Sequence, residues 1–245
     1  RQELERDPPR AALLRAQEAF LAAAQARQLR WESTAAPYDR PLRDRFFVTA
    51  QTAVNLLTAQ SETLEAELRS SQRAEGSLLP HETRQLLAAL RIDLGEVLRD
   101  RAALQPKGSA DRASDLVDAT NAFKQGLSGA LDSILTARGK LGLADCARLQ
   151  QDFDRARQLC AEFAGTQPPL PPDRQDSVDA CRVRCWLDAD RSMEAAEYLL
   201  GLRQSRHVLS GELWFVQLQT LLMLRDRPET QRDPDLAASL PSEAE

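Results

Sequence analysis

Residues 41–71, "PLRDRFFVTAQTAVNLLTAQSETLEAELRSS", decide the fold class. Phe46, Ala50, Ala53, Leu57, Leu64 and Leu68 recur at steps of three, four or seven, the spacing that places side chains on one face of an α-helix and builds a nearly heptad seam. No comparable stretch shows sustained alternation, and β-branched residues are few and scattered, so no strand is expected.

The same period extends to both sides. From Pro9 to Trp31 the sequence carries Leu13, Leu14, Phe20, Leu21 and Ala24, read as the apolar side of a first helix. After "AEGSLLP" a third seam runs through Leu87, Leu90, Leu94, Val97 and Leu104, interrupted by Arg101. A fourth, after "QPKGSADR", holds Leu116, Thr120, Phe123, Leu127, Ala130 and Ile134. The thirteen prolines stand where these helices start or stop, because an interior proline removes a hydrogen bond and clashes with the preceding turn. Short polar connections make the long helices antiparallel neighbours. Gly126 and Gly129 are positions where helices can approach closely or bend.

Beyond Gly139 the segments shorten. "GLADCARLQQDFDRARQLCAEFAGTQP" reads as one long helix or as a pair bending near Gln151. "SVDACRVRCWLDADRSMEAAEYLLGLR" reads as a pair, and "GELWFVQLQTLLMLRDRP" as a further helix. The spacing of Phe153, Ala156 and Cys160 returns in Met193, Ala196 and Leu200, and the corner "QQDFD" matches "DADRSME". These segments resemble tetratricopeptide-type repeats, in which small residues sit where paired helices cross and larger apolar ones fill the gaps. The resemblance implies stacked helix pairs whose first helices line a concave, partner-holding surface. The expected organisation is all-α: a long antiparallel helical bundle over 1–138, shorter repeat-like helix pairs over 139–228, and a weakly ordered acidic tail over 229–245.

Composition narrows function. The 245 residues give a net charge of −5 with acids and bases interspersed, which argues against nucleic acid. No apolar run suits a bilayer, so membrane insertion by this segment is not expected. Cys146, Cys160, Cys181 and Cys185 lie in helical patterns, and Cys181 and Cys185 are too poorly placed for a disulfide with each other. Buried thiols in a reducing, cytoplasmic compartment are expected.

The chemistry-bearing patterns are thin. His81 and His207 are the only histidines, and no GxSxG turn presents a nucleophile. "GK" at Gly139–Lys140 lacks both the leading glycine and the hydroxyl of a phosphate loop. Cys181 and Cys185 offer two zinc ligands where a structural site needs four, and Asp188 and Asp190 fall at a corner where acids cap amides. The reading is therefore a non-enzyme with no cofactor or metal. Arg182, Arg184, Trp186, Arg203 and Trp214 form an Arg/Trp constellation around the repeat-like pair, a composition frequent in protein hot spots and suited to an acidic peptide. The expected function is a scaffold or adaptor presenting a helical groove to a protein or peptide. The alternative is a signalling or sensory bundle cut from a larger, possibly membrane-bound protein, with homo-oligomers formed through the long helices.

Overall fold

The computed structural model describes residues 8–70, 78–163, 170–205 and 210–225; within them the protein is all-helical, without strands. The chain divides into two compact units, residues 1–150 and 151–245. The first contains α1 (Pro8–Ala35), α2 (Arg40–Arg69), α3 (Pro80–Leu104), α4 (Ala110–Gly129) and α5 (Ser133–Leu149). The second contains α6 (Phe153–Ala161), α7 (Pro172–Asp188), α8 (Ser192–Ser205) and α9 (Gly211–Arg225). The acidic tail anticipated over 229–245 lies outside the described residues, as does His207.

Helix starts follow local chemistry. Asp39 accepts from Leu42 N at 3.0 Å with Pro41 in the first turn of α2, Glu82 reaches back to Leu79 N at 2.8 Å, and Ser109 accepts from Arg112 N at 3.2 Å. Each satisfies an amide the helix itself leaves open.

The first unit is organised by α3, which packs against α1, α2, α4 and α5. Its pairings fix the directions. Arg27 and Arg30 of α1 meet Glu96 and Asp100, and Arg138 and Asp145 of α5 meet Glu96 and Arg99, so α1, α3 and α5 run the same way. Glu65 of α2 meets Arg91 while Gln51 meets Arg101, and Phe123 of α4 lies over Gly95 while Gly126 lies over Ile92; α2 and α4 therefore run opposite. One face of α3, with Leu87, Leu90 and Val97, enters a core shared with α1 and α2. Another, with Ala88, Ile92, Leu98 and Ala102, enters a core shared with α4 and α5.

Two sequence expectations are corrected here. In α1 the buried seam is Ala16, Ala19, Ala23 and Ala26, while Leu13, Leu14 and Leu21 are exposed. Phe46, Leu57 and Leu64 from α2, with Leu87 and Leu90 from α3, already fill this core, leaving alanine-sized room for the third helix. The fourth seam does not continue to Ile134: α4 ends at Gly129, and Asp132 opens α5 by accepting from Ile134 N and Leu135 N at 2.6 and 2.9 Å. The boundary anticipated at 138–139 lies inside α5, which packs on α3 and α4 and belongs to the first unit. The bend anticipated near Gln151 is present, with that residue in left-handed backbone at φ 66°.

The second core is tight because glycines replace side chains. A Cβ on Gly142 would stand 2.2 Å from Phe123 Cζ, and one on Gly95 2.8 Å from the same ring. Gly126 and Gly139 receive Ile92 in the same manner, at 2.8 and 2.7 Å from its Cδ1. Gly129 has only ordinary contacts.

Between the two apolar faces of α3 runs a line of buried acids. Asp93 and Asp100 each keep 4% side-chain exposure and Glu96 12%. Arg27 donates to Glu96 at 2.7 Å from one side; Arg138 donates to Glu96 at 2.8 Å from the other and also bonds Asp93. Arg99 bonds Asp100 at 2.8 Å and ion-pairs with Asp145. Glu96 is held below the usual carboxylate range: Arg138, Arg99 and Arg27 together outweigh its burial, which is the largest single influence. Asp93 is pushed up, first by burial and then by the neighbouring Glu96 charge.

Two outcomes follow from these contacts. Gly142→Ala should destabilise the protein by about 1–3 kcal/mol through overpacking against Phe123, whereas Gly201→Ala, at an exposed helical site with open space around it, should stabilise it by about 0.5–1 kcal/mol; urea denaturation followed by circular dichroism reads both. Glu96→Gln, by leaving Arg27 and Arg138 without their shared carboxylate, should cost about 3 kcal/mol near neutral pH. Because a lowered folded pKa contributes stability above the ordinary carboxylate range and loses it as pH falls through the folded value, the variant should also show a shallower loss of stability on acidification. Asp93 is raised partly by the Glu96 charge, so its contribution, of opposite sign, also shrinks in the variant, and the difference between the two pH profiles reports the coupled Asp93–Glu96 pair.

Candidate interaction surface

The five residues singled out in the sequence all belong to the second unit, where α7 packs against α6, α8 and α9, and α8 against α9. Its core joins Ala180, Val183 and Leu187 of α7 to Ala195 and Leu199 of α8 and to Leu213 and Val216 of α9. Polar side chains on α7 tie the neighbours down. Arg182 donates to Cys160 O at 2.9 Å and to Tyr198 Oη at 3.2 Å, and Tyr198 donates to Asp179 Oδ1 at 2.6 Å. The half-buried Tyr198 phenol is pushed above its usual range by desolvation and by this Asp179 bond. Arg184 pairs with Glu212 at 2.7 Å, and Glu212 also accepts from Ser177 Oγ at 2.9 Å. Asp176 accepts from Ser210 N at 3.0 Å, fixing the chain as it enters α9.

Arg182 and Arg184 are thus spent holding α6, α8 and α9 onto α7. Trp186 is half-buried, packed on the core with its ring 5.1 Å from that of Tyr198. Arg203 and Trp214 differ: Arg203 is exposed on α8 with no ion pair or hydrogen bond among the described residues, and Trp214 is 54% exposed on α9.

Trp214 has companions that sequence reasoning passed over. Leu218 and Leu222 follow at steps of four, 54% and 42% exposed, and form one outward stripe with it. The signal was present in "GELWFVQLQTLLMLR": Leu213, Val216, Gln217, Thr220 and Leu224 already supply a complete buried face, so the remaining large apolar residues must look elsewhere. A helix apolar on all sides is a helix expecting neighbours on all sides.

The other candidates for chemistry are not gathered into a metal-binding group among the described residues. His81 is exposed in the first turn of α3. Cys146, Cys160, Cys181 and Cys185 are all buried and outside any disulfide, and burial pushes the Cys146 thiol up to about 12, far from thiolate chemistry at neutral pH. Among the described residues no group of three or more His, Cys, Asp or Glu is placed to hold a metal ion. No helix among them is long and apolar enough to cross a membrane. Comparison of the chain with protein-family models, with curated proteins and with solved structures gives no match.

Proposed function

We propose that this chain is a protein-interaction module, a scaffold or adaptor, in which α6 to α9 are repeat-like helix pairs and the outer face of α9 receives an amphipathic helix of a partner. The observation that carries the reading is the stripe Trp214, Leu218 and Leu222, since large contiguous apolar surface is uncommon on a protein that works alone and Trp is the residue most enriched at binding hot spots. The packing supports a repeat: α7 touches both α8 and α9, and α8 touches α9, the pattern of a first helix lying beside its own partner and the next first helix. Arg203 supplies an uncommitted cation on α8 for an acidic partner segment. Four buried thiols outside any disulfide fit a reducing, cytoplasmic setting.

Affinity capture from a lysate of the source, with the full chain beside Trp214→Gln/Leu218→Gln, tests this. A partner retained by the parent and weakened at least about tenfold in the variant, whose helical segment also blue-shifts tryptophan emission of the parent on titration, is the expected result. A captured set identical for both proteins would remove α9 as the site.

The outer side of α1 favours a second reading, assembly through the long helices as in a signalling bundle. Leu13, Leu14, Leu21 and Trp31 are 44%, 40%, 65% and 44% exposed there. Light scattering during size exclusion should then give a multiple of the 27.3 kDa chain mass, and Leu14→Gln/Leu21→Gln should restore the single-chain mass. A single-chain mass for the parent at every concentration would dismiss this assembly.

A further inference from the structure

The helices α2 and α4 both pack on α3 but not on each other. At one end Arg101 spans them, bonding Gln51 of α2 and Asp115 of α4. At the other end no hydrogen bond or ion pair among the described residues spans them, and a cavity of about 400 Å³ opens between the last turn of α2 and the last turn of α4. Its lining is Leu68, Leu87, Ala88 and Pro80, with Ser128 and Gly129 at one side and the guanidinium-bearing Arg84 and Arg91. The volume lies within the range of small-molecule sites, and an apolar floor with a few convergent polar groups is their usual make-up.

The charges in the lining are unequal in status. Arg91 is half-buried and held by Glu65, which Arg69 also contacts at 3.1 Å. Arg84 is exposed and makes no side-chain ion pair or hydrogen bond among the described residues. Among the described residues no carboxylate lines the cavity. A guanidinium without a counter-ion among the described residues, set beside buried leucine and alanine, matches a ligand that carries one planar anion on an apolar body. The fork of N–H donors fits a carboxylate bidentately, and the apolar body gains by leaving water for Leu68, Leu87 and Ala88.

We propose that this cavity binds a small amphipathic monocarboxylate, its carboxylate on Arg84 and its aliphatic or aromatic body on the floor formed by Leu68, Leu87, Ala88 and Pro80. The site is independent of the α9 surface and survives whether or not that surface binds a partner.

The test uses the full chain, ¹⁵N-labelled, titrated with 3-phenylpropionate and with the uncharged 3-phenylpropionamide. The expected result is saturable shifts confined to the amides of Leu68, Leu87, Ala88, Ser128 and Gly129, with the amide ligand weaker by at least about tenfold. Arg84→Gln, a surface change that leaves the core intact, should weaken the carboxylate to the level of the amide. Gly129→Leu places a side chain towards the cavity where the backbone tolerates one, with the nearest contact of its Cβ an ordinary 3.5 Å, and should abolish binding of both. Absence of saturable shifts at millimolar ligand, equal binding of acid and amide, or binding indifferent to Arg84→Gln would each overturn the proposal. Inorganic phosphate producing the same shifts with the same affinity would overturn it too, because the apolar floor would then contribute nothing.

Discussion

The first unit depends on α3 carrying charge where a central helix ordinarily carries hydrocarbon. Asp93, Glu96 and Asp100 are nearly sealed from water, and charges removed from water are tolerated only when paired and hydrogen-bonded. Arg27 and Arg30 reach them from α1, Arg138 from α5, and Arg99 from α3 itself. The pairing therefore fixes the rotation of α3 and the register of the two helices flanking it. A one-residue slip in α1 or α5 would leave buried charge without its counter-ion, whereas an all-apolar α3 would accept several neighbouring registers at similar energy. The glycine sockets for Phe123 and Ile92 act on the neighbouring face of the same helix, so that α4 is positioned by shape, α1 by charge and α5 by both.

The second unit uses polar ties more sparingly and around a different centre. Arg182 and Arg184 are next-nearest neighbours on α7, yet one reaches Cys160 O and the Tyr198 phenol and the other reaches Glu212. A single helix thereby gathers the three around it. What the ties do not absorb is α9's outer face, and this division between spent arginines and uncovered apolar residues supports placing partner binding on Trp214 rather than on Arg182 or Arg184.

Much of this was legible from residue spacing. The seams of α2 and α3 are large side chains at helical steps and point inward as their period requires; the prolines and capping acids mark most helix starts. The side of α1 that would be buried was not legible, since a rule that sends the largest apolar residues inward fails when its neighbours have already filled the core and only alanine fits. The break between α4 and α5 was written in Gly129 and Asp132, but an uninterrupted apolar period through Ile134 masked it. Arg101 looked like a flaw in a seam and is a bridge between α2 and α4. At the candidate surface, composition singled out Trp214 but not Leu218 and Leu222, which are exposed beside it. It also could not separate arginines that solvate from arginines that bind within the fold, because that distinction lies in which carboxylate or carbonyl stands opposite, a property of tertiary packing.

The sharing of α3 between two cores has a mechanical meaning. Three-helix assemblies that merely touched would fray one at a time, each shedding its own layer with its own opening equilibrium. Here neither layer can open without withdrawing support from the helix that the other is built on, an arrangement that favours opening as one cooperative block. Strain introduced at the Phe123 socket is thereby transmitted to the α1 side of the unit, with no pathway of its own beyond the rigidity of a single shared rod.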